Sequence, residues 1–86
     1  MSEDKPPFPA AAASLSDIGG TVRACRKASG LRIDDAAALC GVSVDLLSRL
    51  ENGGGVSSLR LLRVLDGLGL ALAILPKSPR SPTSAR

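Results

Sequence analysis

Residues 40–55, "CGVSVDLLSRLENGGG", decide the fold of this chain. Gly41 allows the left-handed backbone that a tight turn needs, and Ser43 is a good N-terminal cap for a helix that begins at the next residue. Within that helix, Leu47 and Leu50 are spaced to face a core. A run of three glycines then ends it. The stretch therefore predicts a tight turn followed by a short helix with one apolar and one polar side.

Two helical segments precede this stretch. The first follows a Ser16 cap and ends at Gly30, and four of its residues share one face at helical spacing: Ile18, Val22, Cys25 and Ser29. The second, at residues 33–40, carries Asp34 and Asp35 in its first turn, which are favourable against the helix dipole. It is expected to pack through small side chains that let neighbouring helices approach closely: Ala36, Ala37 and Cys40.

Two further segments follow the glycine run. Residues 57–67 predict a fourth helix, which we expect to bury four leucines: Leu59, Leu61, Leu62 and Leu65. Residues 70–76, "LALAILP", are apolar at every position up to the proline. Such a segment has to be covered, because an open apolar edge would aggregate. Either a second chain covers it, or it folds back on its own domain.

Length and composition indicate one small helical domain. Of the 86 residues, 15–76 are expected to fold, whereas residues 1–14 and 77–86 have the proline-rich, polar composition of disordered tails. Leucine and alanine dominate, and Phe8 is the single aromatic residue, which favours an all-α protein. A core of this size stabilises a chain only weakly, so we expect dimerisation.

Several functional classes are disfavoured by the residues present. The chain has no histidine and only two cysteines, so we expect no structural zinc site, no cofactor and no catalytic nucleophile with its base. The N-terminal segment lacks the charged-then-apolar pattern of a signal peptide, and the apolar run at residues 68–75 is too short to span a bilayer. We therefore expect a cytoplasmic, non-enzymatic protein. The net charge of +3 is compatible with a polyanionic partner.

Three sequence segments carry a resemblance to a known family. They are "RACRKASGL" at residues 23–31, "CGVSVDLLSRLENG" at residues 40–53 and "LDGLGL" at residues 65–70. Over residues 18–75 the chain resembles the Xre/Cro phage-repressor type of helix-turn-helix protein, and most of all the HipB-type antitoxin regulators. The resemblance implies a compact, lambda-repressor-like domain of four to five helices. It also implies a short C-terminal β-strand that pairs across a homodimer through Leu70, Leu72 and Ile74.

The partner implied by the resemblance is double-stranded DNA, with a HipA-like toxin kinase as a further partner of the antitoxin type. The major groove would meet four exposed residues of the third helix: Val44, Asp45, Ser48 and Arg49. Arg49 can donate two hydrogen bonds to guanine, and Asp45 can accept one from cytosine N4. Ser48 can pair with several base edges, and Val44 can pack on a thymine methyl group.

Phosphate contacts are expected near the beginnings of three helices and the end of one. The candidates are Arg32 and Ile33 before and in the second helix, together with Ser43, Asn52, Ser57 and Ser58. In the family, an arginine of the first helix pairs with the glutamate that closes the third. Here those residues are Arg26 and Glu51, and we expect a structural ion pair.

Three positions depart from the family pattern and leave an alternative function open. Ile33 stands where glutamine is common, Gly54 stands where a basic residue is frequent, and Asp45 brings negative charge towards DNA. A carboxylate weakens binding to most bases, yet for that reason it can confer specificity. We favour a sequence-specific DNA-binding repressor, with an antitoxin role as its narrower form. The alternative is a protein-interaction module of the same fold that has lost DNA binding.

Overall fold

A computed structural model describes residues 12–74 and 76 of the chain. These residues form four helices: α1 Leu15–Ala28, α2 Ile33–Cys40, α3 Val44–Glu51 and α4 Ser58–Gly67. The expectation of an all-α domain with four helices is confirmed. Of the tails predicted for residues 1–14 and 77–86, residues 1–11 and 77–86 lie outside the described residues, as does Leu75.

Three of the four helices begin at a serine whose hydroxyl oxygen accepts a backbone hydrogen bond from the first turn. For α3 the cap is Ser43, as predicted, and its Oγ lies 3.0 Å from the backbone nitrogen of Leu46. For α1 the cap is Ser14, so the prediction of Ser16 was wrong. The earlier start is favoured because Asp17 makes two hydrogen bonds with the residues before the helix. Its backbone nitrogen donates to Ser14, and its carboxylate accepts from the backbone of Ala13 at 2.9 Å.

Each helix is followed, within two residues, by a glycine with a left-handed backbone. After α2, Gly41 has φ +72° and its N–H donates to the carbonyl of Ala38, while Val42 donates to Ala37 at 3.0 Å. This pair of bonds satisfies carbonyls that the end of the helix would otherwise leave unpaired, and the left-handed conformation is strained for residues with a Cβ. The same positive φ occurs after the other three helices, at Gly30, Gly53 and Gly69.

The core is formed by one face of each helix. Its buried residues are Val22, Ala36, Ala37, Cys40, Leu47, Leu50, Val64 and Leu65. The helix α3 packs against both α1 and α2, and α4 packs against α2. A Cβ on Gly19 would overlap the carbonyl oxygen of Leu50, and a Cβ on Gly67 would lie 2.7 Å from Cys40 Sγ. Glycine therefore permits the close crossings of α1 with α3 and of α4 with α2.

The buried face of α4 differs from the prediction. Leu59 and Leu62 are 66% and 48% exposed, whereas Val64 and Leu65 are buried. Gly67 faces Cys40 so closely that a Cβ would lie 2.7 Å from its Sγ, which fits this rotation of α4. Residues 61, 64, 65 and 68 then face inward, and positions 59 and 62 lie on the opposite side. Because leucines occupy both faces of α4, the sequence pattern alone did not distinguish them.

The apolar segment after α4 has no regular secondary structure within residues 70–74. Leu70 packs against the core, and its N–H donates to the carbonyl of Leu65 at 2.8 Å. Beyond it, Leu72 is 52% exposed and Ile74 is 90% exposed. The segment therefore covers its own domain only at its first residue. A strand between two copies requires a second chain, so that part of the fold expectation stays a prediction.

Candidate nucleic-acid interface

The interface is built on the pair α2 and α3, which meet through a three-residue turn. Val42 in the turn packs against the core, and Leu47 and Leu50 fix α3 from the inside. Ser43 caps the first turn of α3. The outer face of α3 is therefore presented on a rigid support.

The four predicted base-reading residues lie together on this outer face. Val44, Asp45 and Arg49 are exposed, and Ser48 is half-buried. The Asp45 carboxylate and the Arg49 guanidinium form an ion pair at 3.1 Å, one helical turn apart. Sequence reasoning missed this pair, although a spacing of four residues between opposite charges in a helix favours one. The only basic group of this face is therefore the Arg49 guanidinium, whose forked set of donors is already paired with an acid.

The end of α3 is joined to α1 by the predicted ion pair, which is confirmed. Arg26 Nε lies 2.7 Å from Glu51 Oε2, and Arg26 Nη2 lies 2.9 Å from Oε1. Arg26 Nη1 also donates to the carbonyl of Leu31 at 3.1 Å, which fixes the loop before α2. The hydrogen bonds with Glu51 raise the pKa of Arg26, against the lowering effect of burial. With side chains only 12% and 5% exposed, this pair sets the orientation of α3.

The phosphate candidates lie at helix termini. Arg32 is the cap residue of α2, makes no side-chain cap hydrogen bond and is exposed, with its Nε 3.6 Å from the Asp34 carboxylate. The Ile33 side chain packs against the core, so this residue offers only its backbone N–H. An N–H at a helix start suits an anion, but Asp34 brings negative charge close to it.

The remaining phosphate candidates are four polar side chains, three of which already make one hydrogen bond. The Oγ atoms of Ser43 and Ser57 each accept a backbone N–H, which leaves the hydroxyl hydrogen free to donate outward. Asn52 donates from Nδ2 to the carbonyl of Ser48 at 2.8 Å, and its amide keeps a second N–H. Ser58 is the exposed first residue of α4. Each of them retains a donor for a phosphate oxygen.

The two cysteines have structural surroundings. Cys40 is buried and its thiol points to the carbonyl of Val64 at 3.5 Å, while Cys25 is half-buried and points to that of Leu68. Burial raises the pKa of the Cys40 thiol. In the described part of the chain, no three His, Cys, Asp or Glu residues are grouped to hold a metal. Among the same residues, no helix combines the length and apolar character needed to cross a bilayer.

Comparison with known proteins adds two findings to this geometry. Residues 17–73, which include almost all of the four helices, match a family model described as a helix-turn-helix domain. A protein of Sinorhizobium fredii, named as the uncharacterized HTH-type transcriptional regulator y4mF, is 36% identical over 66 residues. The aligned region is 76% of this chain and 87% of that protein.

Proposed function

Because the chain belongs to the helix-turn-helix domain family, we propose that it is a sequence-specific DNA-binding transcriptional regulator that acts as a repressor. One observation carries the proposal. The helix α3 is fixed from inside by Leu47 and Leu50 and at its end by Glu51, and its outer face is left free. A rigid helix with an exposed polar face is what direct reading of base edges in a major groove requires.

The proposed base contacts follow from the chemistry of that face. Arg49 donates to guanine O6 and N7, and Ser48 bonds to a base edge. Val44 packs on a thymine methyl group. Asp45 uses Oδ2 for Arg49, and its Oδ1 remains able to accept from cytosine N4. The combination favours sites with adjacent G·C pairs and disfavours other sequences.

Phosphate contacts orient α3 in the groove without reading sequence. We assign them to the Arg32 side chain and the Ile33 backbone, and to the side chains of Ser43, Asn52, Ser57 and Ser58. Only one of these six is cationic. Each phosphate neutralised by a cation adds to the salt dependence of binding, so binding to random DNA is expected to be weak and only moderately sensitive to salt.

We further propose that the protein acts as a homodimer. The exposed side chains of Leu72 and Ile74, which follow the packed Leu70, form an apolar edge at the end of the described chain. Pairing Leu70, Leu72 and Ile74 as a strand with the same residues of a second copy would cover that edge. Two linked copies would then contact two half-sites about one helical turn of DNA apart.

The narrower proposal is an antitoxin that pairs with a HipA-like kinase, and it rests on the resemblance over residues 18–75. Co-expression with a HipA-like kinase should yield a complex that elutes as one species. Separate elution of the two proteins at micromolar concentration would contradict the antitoxin role and leave DNA binding unaffected.

One observation favours the alternative of an interaction module without DNA binding. Arg49 is the only basic residue of α3, and its charge is partly neutralised by Asp45. The two functions are separated by titrating the full chain with duplex DNA from upstream of its own gene and with a random duplex. We expect Arg49→Ala to cost about 1 to 3 kcal/mol on the upstream duplex, because a forked guanine contact is lost.

The matched control is Arg23→Ala, which removes the same charge from the exposed surface of α1. It should weaken binding to both duplexes slightly and equally. If the wild-type protein binds the two duplexes with equal affinity, or if the two arginine variants behave alike, α3 does not read bases and the interaction module is the better interpretation.

A further inference from the structure

The side chain of Arg49 is contacted on two sides. One turn before it in α3, Asp45 Oδ2 accepts a hydrogen bond from Arg49 Nη2 at 3.1 Å. Just beyond the helix, Gly54 donates its N–H to the carbonyl of Arg49 at 2.8 Å. The guanidinium of Arg49 is therefore bonded to an acid, and the backbone of Arg49 is bonded to a glycine.

The lack of a side chain at Gly54 is explained by Arg49. A Cβ on Gly54 would lie 2.5 Å from Arg49 Cγ, 3.4 Å from Cδ and 3.0 Å from the carbonyl oxygen. Gly54 does not have the positive φ of Gly53, so the backbone itself does not demand glycine there. In this type of helix end, the side chain at the position of Gly54 usually packs against the one at the position of Arg49. Here the stem of Arg49 occupies that space.

We propose that Asp45 and Gly54 are positioning residues that hold the Arg49 guanidinium in one orientation and so determine the selection of guanine at one base pair. The inference rests on the proposed function, and it adds a role for two residues that need not themselves touch the guanine. It also explains the glycine at position 54, where the family that this chain resembles often has a basic residue.

The physical basis is preorganisation. A free arginine loses much rotamer freedom when it makes a forked contact, and holding it in the contact geometry beforehand lowers that loss for guanine. The bond to Asp45 uses one Nη2 hydrogen, and the guanidinium keeps enough donors for a fork to O6 and N7. Flexible arginine can instead follow nearby phosphates, which raises binding to every sequence. Positioning of Arg49 therefore changes the ratio of the affinities for two DNA sequences more than it changes the affinity for either one.

The test uses the full chain and a pool of randomised DNA duplexes. The site enriched by the wild-type protein is compared with the same duplex in which one enriched guanine is replaced by adenine, and we expect the wild type to discriminate about tenfold or more. Gly54→Ala and Asp45→Asn should each reduce this ratio to less than about threefold, because Arg49 is no longer held. In an Arg49→Ala background, neither substitution should change the ratio further.

Each substitution has a matched control in the same chain. Gly55→Ala adds a methyl group at the next residue, where nothing lies within 4 Å, and Asp66→Asn removes one exposed carboxylate from α4. Both controls should keep the wild-type ratio. Asp45 is 86% exposed, so Asp45→Asn decides the matter even if Gly54→Ala impairs folding.

The outcomes distinguish the positioning role from the proposed function. If the wild type enriches a site and both variants keep the wild-type ratio, the positioning role is wrong and the proposed function stands. If the wild type enriches no sequence from the pool, both are wrong.

Discussion

At the scale of single residues, Glu51 has a large structural consequence. Its carboxylate accepts two hydrogen bonds from Arg26, and Arg26 in turn fixes the carbonyl of Leu31. One acidic side chain thereby connects the end of α3, the end of α1 and the loop before α2. The loop before α2 and the end of α3 carry proposed DNA contacts, so the pair couples the stability of the fold to the orientation of α3.

Replacing Glu51 with alanine should lower the free energy of unfolding by about 3 kcal/mol, because it leaves a largely buried guanidinium without its counter-charge. Urea or thermal unfolding followed by circular dichroism measures the effect. Asp66→Ala, which removes an exposed acid from α4, should leave the unfolding midpoint unchanged. An unchanged midpoint in Glu51→Ala would contradict the stabilising role of the pair.

The buried thiol of Cys40 should make stability depend on pH in the alkaline range. Burial raises its pKa in the folded state. The unfolded thiol titrates near about 8.5, so above that pH the unfolded chain releases a proton that the folded chain retains. The contribution is fully present below pH ~8, and the free energy of unfolding then falls by up to about 1.4 kcal/mol per pH unit until the folded thiol also ionises.

Urea unfolding at about pH 7.5 and 9.5 tests this prediction, since the two values bracket the ordinary titration of a thiol. Cys40→Ala is the reference, because it removes the group while keeping a small apolar residue. The wild-type protein should lose more stability between the two pH values than the variant does. Equal losses would mean that the thiol does not cause the pH dependence.

At the scale of helices, glycine has opposite effects at two neighbouring positions of α1. Gly19 is buried and faces the backbone of Leu50, whereas Gly20 is exposed and has nothing within 4 Å of the place for a Cβ. The first permits the crossing of α1 with α3. The second only reduces the intrinsic stability of the helix.

We therefore expect Gly19→Ala to destabilise the fold by about 2 kcal/mol or more, because the added methyl group forces the two helices apart. Gly20→Ala should instead stabilise it by about 0.5 to 1 kcal/mol, because alanine is the better helix former. Thermal unfolding of the two single variants provides the comparison. Stabilisation by both substitutions would show that α1 and α3 do not approach each other closely at Gly19.

At the scale of the whole molecule, the apolar residues after Leu70 are left uncovered by the chain itself. The single chain leaves Ile74 90% exposed and Leu72 52% exposed, while Leu59 and Leu62 are exposed on α4. Isolated exposed leucines are common on small proteins, whereas an apolar segment beyond the last helix is a frequent interaction site. Assembly with a second copy is the proposal that accounts for it.

A double substitution, Leu72→Glu with Ile74→Glu, should convert the proposed dimer into a monomer, because four charges would meet at one apolar interface. Sedimentation measures the mass, and DNA binding should weaken because one copy contacts only one half-site. Ala73→Glu is the matched control, since alternate residues of a strand point to opposite faces. It should remain a dimer. A double variant that is also a dimer would place the interface elsewhere.

Local features of the chain were predictable from the sequence. The bounds of α2 and α3, the Ser43 cap and the left-handed Gly41 depend on residues within about one helical turn of each other. Their chemistry can therefore be read without knowing the fold. The pair of Asp45 and Arg49 is equally local, and its spacing of four residues could have predicted it. The Arg26 and Glu51 pair was predicted only through the resemblance, because its members are 25 residues apart.

Only the tertiary structure decided which side of α4 is buried and why Gly19 and Gly54 lack a side chain. The buried side of α4 is the side on which Gly67 meets Cys40. Gly19 lacks a side chain because a carbonyl of α3 occupies that space. Leucines on both faces of α4 give the same hydrophobic pattern for either rotation. A glycine in a sequence does not reveal whether it loosens a helix, permits a turn or makes room for a neighbour. That difference arises from atoms that only the folded backbone brings together.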